Sequence, residues 1–210
     1  MNVFVLCTGR SGSVTFIKAC QHIRNYTAAH ESRSGLVGQE HFLYPHNHIE
    51  ADNRLSWFLG RLDKVYGATA FYVHLQRDRL STAKSFENRY ERGIINAYAT
   101  AIVKGLAPGA TPLEVCLDYC DTVNDNIESF LEDKPHKMVF KLENAKADFE
   151  RFWKAIGAEG DPSAALREWD IRYNRSTSSS VTAFTPLLLS RSAKKISRII
   201  SKLPAYIKSA

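Results

Sequence analysis

The sequence has no apolar run approaching the roughly twenty residues that span a bilayer, so no membrane helix is expected. No basic segment precedes its first apolar run either, so a signal peptide is not expected and a cytoplasmic setting is. Cysteine is scarce: Cys7, Cys20, Cys116 and Cys120 form no CxxC pair and no Cys/His metal spacing. They read as reduced core thiols. HExxH is missing, and so is the GxxxxGK[ST] ending that carries magnesium and a nucleoside triphosphate. No internal repeat is visible. The charge is lopsided only mildly, 28 basic against 22 acidic residues for a net +6, which favours an anionic ligand or surface without naming it. With 44% hydrophobic and 24% charged residues in 210, the chain has the composition of a globular domain with a substantial core.

What is present alternates. "VFVLC" (3–7) is a short, continuous apolar run, read as a buried strand. Behind it Phe16, Ile17, Cys20 and Ile23 share one helical face. "NYTAAHES" reads as a second strand. A helix is expected from Asp52, its cap, to Gly67, its stop, and "AFYVHLQ" as a strand ahead of a helix in "STAKSFENRYERG". "TPLEVCLDYCDTVNDNIESFL" is the clearest helix, with Thr111 as cap, Pro112 in the first turn and Glu114 completing a capping box. "KMVFKLE" is a further strand. A helix bearing Phe149, Phe152, Trp153 and Ile156 follows, then a short one in "DPSAALREW". Strands alternating with helices predict an α/β fold, a three-layer sandwich around a mostly parallel sheet, over residues 1–180. A basic helical tail is expected over 181–210. The ligand of such a fold belongs beyond the carboxyl ends of the strands.

"TGRSGSVT" (8–15) occupies that place after the first strand. Gly9 and Gly12 allow a tight turn, Ser11, Ser13 and Thr15 add hydroxyls, and Arg10 adds a fixed positive charge able to grip phosphate with two hydrogen bonds. Backbone N–H groups at the start of the next helix complete an anion site. "FYVHLQRDRLSTAKSF" supplies a second element, with Arg77 at a strand end and Ser85 eight residues later on a helix.

With these two elements in this order, the chain resembles the sulfotransferase superfamily, whose members transfer a sulfuryl group from 3′-phosphoadenosine-5′-phosphosulfate (PAPS). The resemblance runs from about Val3 to Gly157. It includes a third, weaker element, "MVFKLENAKADFERFWKAIGA", with Glu143 in an acidic position. It implies a P-loop-like phosphosulfate loop after the first strand, with Arg10, Ser11, Gly12, Ser13, Val14 and Thr15 on the 5′-phosphosulfate and Arg77 with Ser85 on the 3′-phosphate. "RDRLSTAKS" departs from the family in lacking a Pro two residues after the Arg and in carrying its Asp at 78, with Ser81 in the usual Asp place. PAPS would serve as co-substrate without a metal. Charge builds on the bridging oxygen of the leaving phosphate during transfer, and Arg10 is assigned its electrostatic stabilisation.

The acceptor, a hydroxyl or amine on a carbohydrate, lipid or small molecule, needs a general base, which in this family is a Glu or a His. Glu31, at the end of the second strand, is the first candidate and His48 the second. His30, His41, His46 and His48 also invite a metal reading, but their spacing matches no metal motif. Glu50, Asp52, Asn53, Arg54 and Trp57 either shape an acceptor pocket or belong to an amphipathic helix. Arg172, Arg175 or Ser176 either close over the nucleotide or lie in a solvated loop. The tail, with Ile196, Ile199, Ile200 and Leu203 on one side, is a candidate for peripheral membrane contact, for a partner, or for docking on its own domain. Nucleic acid is not expected as a partner. Two alternatives stay open: a small P-loop-type kinase, and a non-catalytic anion or nucleic-acid binding module.

Overall fold

The computed structural model describes residues 1–171 and Tyr173. The expected boundary near residue 180, the basic tail and the readings on Arg172, Arg175 and Ser176 lie outside these residues. Five strands form one parallel sheet: β1 (Val3–Leu6), β2 (Thr27–His30), β3 (His48–Ala51), β4 (Phe71–Gln76) and β5 (Lys137–Lys141), in the order β2-β3-β1-β4-β5. β1 lies at the centre, Val3 opposite Ile49 on one side and Phe71 on the other. The chain turns to one side of β1 for β2 and β3, and to the other for β4 and β5, which makes the end of β1 the topological switch point.

The side-chain alternation of the strands builds two cores. Phe4, Leu6 and Tyr72 face one layer, where α2 (Leu59–Tyr66), α3 (Arg79–Glu87) and α5 (Pro112–Leu131) contribute Leu62, Phe86, Tyr119 and Ile127. Val3, Val5, Ile49 and Val73 face the other, where α1 (Ser13–Cys20), α6 (Ala145–Ala155) and α7 (Pro162–Arg167) contribute Phe16, Phe152 and Ala165. Each fully buried large apolar side chain contributes about 1.5–3 kcal/mol relative to exposure, so both layers are firmly held.

α5 starts as the sequence predicts. The Thr111 hydroxyl accepts from the Glu114 N–H at 3.3 Å while the Glu114 carboxylate accepts from the Thr111 N–H at 2.7 Å. Three expectations are corrected. The helix expected from Asp52 is broken: a 3₁₀ helix (Asn53–Trp57), capped by Asp52, ends at Phe58 before α2 begins. The helix expected in "STAKSFENRYERG" starts earlier, behind Asp78, and stops at Glu87; a short α4 (Gly93–Ala97) and a π-helical turn (Tyr98–Ile102) follow. β3 was not expected at all. Its polar residues resemble a loop in sequence, yet each is paired inside: His48 Nε2 lies 2.9 Å from Glu50 Oε2, His48 Nδ1 lies 2.7 Å from the Thr27 hydroxyl, and Ser32 donates twice to the fully buried Glu50. Among the described residues no helix is long and apolar enough to cross a membrane.

Candidate active site

A cavity of about 850 Å³ opens beyond the carboxyl ends of the strands. All five strands feed it: Gly9, Arg10 and Gly12 to Thr15 after β1, His30 and Glu31 at β2, Asn53 and Arg54 after β3, Arg77 after β4, and Leu142 after β5.

The loop after β1 holds a conformation that its sequence makes possible. Gly9 and Gly12 have φ of +86° and +95°, and Arg10 between them also sits in the left-handed region at +59°. A side chain at either glycine would press on a neighbour. A Cβ on Gly9 would lie 3.3 Å from Asn53 Nδ2, and one on Gly12 would lie 2.8 Å from Leu142 Cδ1. The stem is tied from beneath, where Tyr119 donates its hydroxyl to the Thr8 carbonyl at 2.7 Å and Ser56 to the Cys7 carbonyl at 3.2 Å. α1 begins at Gly12 with no side-chain cap and no acid in its first turn. Its N-terminal amides therefore face the cavity without a competing carboxylate, which is the arrangement that binds an oxyanion.

The second element meets the first directly. Arg10 donates from Nε to the Ser85 hydroxyl at 3.0 Å, and Arg77 donates from Nη1 to the Arg10 carbonyl at 3.0 Å. Two motifs separated by more than sixty residues thus form one surface. Asp78 caps α3 by accepting from the Ser81 N–H at 2.8 Å, and the hydrogen bonds from Ser81 hold its carboxyl below the usual range. Four residues beyond Ser85, in the turn that follows α3, comes Arg89. Its charge, after burial and with that of Arg77, holds the Arg10 guanidinium below its ordinary value. Among the described residues six cations line the cavity, Arg10, Arg54, Arg77, Lys84, Arg89 and Arg92, against one acid, Glu31.

That acid is held in an unusual backbone state. Glu31 has φ of +51°, fixed by its N–H donating to the Ala51 carbonyl at 3.0 Å and by the following N–H, of Ser32, donating to Glu50 at 2.8 Å. Its carboxylate lies 2.9 Å from Arg54 and remains about one-third exposed. Beside it His30 Nε2 lies 2.9 Å from the hydroxyl of Ser13, the first residue of α1. Asp52, fully buried, accepts from the Arg54 N–H, and burial pushes its carboxyl above the usual range.

The structure brings most sequence candidates together: Arg10, Gly12, Ser13, Val14, Thr15, Glu31, Arg77 and Ser85 all line the cavity. Ser11 does not; it is buried under the loop. His48 does not either, being sealed between Thr27 and Glu50 with Tyr44 stacked at 5.5 Å. Among the described residues His30 is the one histidine on the cavity wall, and no three His, Cys, Asp or Glu side chains are placed to hold a metal. Of the residues read as acceptor pocket or helix, Asn53 and Arg54 reach the cavity. Glu50 and Asp52 are buried, and Trp57 packs on Tyr98 and Tyr119. Lys84, Arg89, Arg92, Leu142 and Trp169 line it without having been singled out. For Arg89 the sequence carries a signal, since the helix it predicts over this stretch would set residues four apart on one face, although α3 ends two residues before it.

All four cysteines are free and buried, and burial raises each thiol, Cys7 and Cys116 to about 11 and Cys120 to about 12.

No family model matches the chain, and no curated protein sequence does. Among solved structures, the sulfotransferase domain from the curacin biosynthetic pathway is similar in fold, with a TM-score of 0.54 at 13% identity over 96% of this chain and 98% of that chain. The chain therefore has an α/β fold of the kind found in that sulfotransferase domain, with its cationic cavity at the switch point of the sheet.

Proposed function

We propose that the protein is a PAPS-dependent sulfotransferase acting on a hydroxyl or amine acceptor. The observation that carries the reading is the hydrogen bond from Arg10 to Ser85, which joins the loop after β1 and the Arg77–Ser85 element in one cavity. The donor set fits a ligand with anionic groups at two separated points. The uncapped start of α1 with Arg10 suits a phosphosulfate, and Arg77, Ser85 and Arg89 suit a phosphate monoester. A cavity of about 850 Å³ has room for a nucleotide and part of an acceptor, within the usual range for ligand sites of about 300–1,000 Å³.

When bound, PAPS supplies a sulfuryl group on a leaving phosphate. The chain's residues do the rest. Arg10 is held by Ser85, and its charge would neutralise the negative charge that builds on the leaving oxygen. It cannot donate that oxygen a proton at ordinary pH, so its role is electrostatic. Glu31 would take the acceptor's proton as the acceptor's lone pair bonds to sulfur and the bond from sulfur to the bridging phosphate oxygen breaks, releasing PAP. Arg54 holds the carboxylate oriented until then. Were a histidine to carry that proton, the cavity wall offers His30 rather than His48.

The test is thermal stability with 3′-phosphoadenosine-5′-phosphate (PAP) in the absence of magnesium. At a hundredfold excess over Kd a ligand stabilises by about 2.7 kcal/mol, which for a chain of this size raises Tm by roughly 5–10 °C. A larger rise with magnesium and ATP would favour a kinase, and one with DNA a nucleic-acid module. Arg77→Ala should raise the Kd for PAP roughly 10–100-fold, the loss of a charge-assisted contact.

A further inference from the structure

The connection after β5 touches both anion elements at once. Leu142 packs against Gly12 of the first loop, and the next residue, Glu143, accepts the Asp78 N–H on Oε1 at 2.8 Å. Asp78 is the hinge of the second element. Its side chain caps α3 through Ser81, and its carbonyl accepts the Thr82 N–H and hydroxyl, both at 2.9 Å. Arg77 precedes it immediately, and Ser85 stands two turns along the helix it starts. Fixing Asp78 therefore fixes the direction of Arg77 and of α3 together.

The placement of an acid here runs against electrostatics alone. Glu143 is exposed, carries negative charge and sits one residue from an anion site, where its field opposes the ligand. Solvent and salt screen that opposition at an exposed position. The hydrogen bond to a turn amide is not lost in the same way. We infer that Glu143 is a positioning residue for the Arg77–Ser85 phosphate site, acting through the Asp78 turn and giving the cavity its preference for a nucleotide with a 3′-phosphate. The inference rests on the reading of the cavity as a PAP and PAPS site.

Charge and geometry predict opposite signs for Glu143→Ala, which removes both the charge and the acceptor, whereas Glu143→Gln removes the charge but keeps an oxygen that can accept the Asp78 N–H. Removing a negative charge beside an anion site, by itself, tightens binding; loosening the turn weakens it. Titration calorimetry on the full chain, with PAP and with adenosine 5′-monophosphate, separates them. Glu143→Ala is expected to weaken PAP about tenfold and to leave the monophosphate, which has no 3′-phosphate, within twofold. Glu143→Asp keeps the charge but shortens the reach, and should show the same selective loss, while Glu143→Gln should retain most of the affinity. Arg77→Ala with Glu143→Ala should weaken PAP by less than the two single effects multiplied, because both act on one phosphate site. Unchanged or tighter PAP binding by Glu143→Ala, or equal loss for both nucleotides, overturns the inference. A wild-type protein that binds the two nucleotides equally overturns the reading of the site and this inference with it. That outcome is visible before any variant is made.

Discussion

Gly12→Ala tests the loop at its most constrained point. Two costs combine. At φ of +95° an L-residue is strained whatever surrounds it, by about 1–2 kcal/mol. The added Cβ would also stand 2.8 Å from Leu142 Cδ1, too close by nearly an ångström. That neighbour is the end of a partly exposed, rotatable side chain, so moving it costs only about 0.5–1.5 kcal/mol, the scale of a distorted rotamer. Backbone strain should thus dominate, for a total of about 2–3 kcal/mol. Urea unfolding reads the total, and the same experiment in a Leu142→Ala background separates the terms. With the methyl gone, Gly12→Ala should still cost the larger part. PAP binding should fall in both backgrounds, because relaxing the strain turns the α1 amides away from the cavity. Destabilisation below about 0.5 kcal/mol would refute the reasoning, and so would its disappearance in the Leu142→Ala background.

Glu31→Gln should keep the affinity for PAP and lower sulfuryl transfer from labelled PAPS by about 10²-fold or more, the usual contribution of a general base; full turnover would remove Glu31 from that role. His74 gives a pH dependence. It is buried on β4 beside Asn124, and burial lowers its ring below the ordinary value of 6.5. Below about 6.5 the unfolded chain takes up a proton that the folded one does not, so stability falls as pH drops from there through the lower folded value. Unfolding free energies of wild type and His74→Gln should therefore diverge less at pH 5 than at pH 7; a difference that stays constant between the two would exclude this account. The four thiols should be silent to a thiol reagent in the native protein and all react in guanidinium, since each is buried with a raised pKa; a fast native thiol would contradict the burial.

The features legible in the sequence are those that local chemistry decides. Thr111, Pro112 and Glu114 carry the start of α5 within four residues, and the glycines at 9 and 12 announce backbone that other residues resist. Arg77 and Ser85 were legible because a strand followed by a helix places them on one side. What was hidden depends on distant partners. β3 looks polar because His48 and Glu50 are satisfied only by Thr27 and Ser32, which no local pattern reveals. Glu31 and Arg54 are twenty-three positions apart, and their pairing appears only when β2 and β3 lie side by side. The exclusion of His48 from the cavity has the same origin. β3 runs from His48 to Ala51, so His48 stands at the amino end of its strand, opposite Thr27 and away from the carboxyl ends where the ligand would sit.

The cavity also explains why the empty protein should be weaker than its core suggests. Three guanidiniums converge, and burial together with Arg89 and Arg77 makes the charge on Arg10 costly. Arg10 and Glu31 both hold left-handed backbone that non-glycine residues avoid. A bound anion would offset the electrostatic part of this cost, and ligand and fold would then be linked by mass action. The linkage has a salt signature. Exposed members such as Arg92 are screened within a Debye length of about 8 Å at physiological ionic strength, whereas the partly buried Arg10 is screened much less. Added salt should therefore erode the long-range attraction of the ligand first and the contact at Arg10 last. The Arg10–Ser85 junction, rather than the total number of cations, would then set the affinity that survives in the cell.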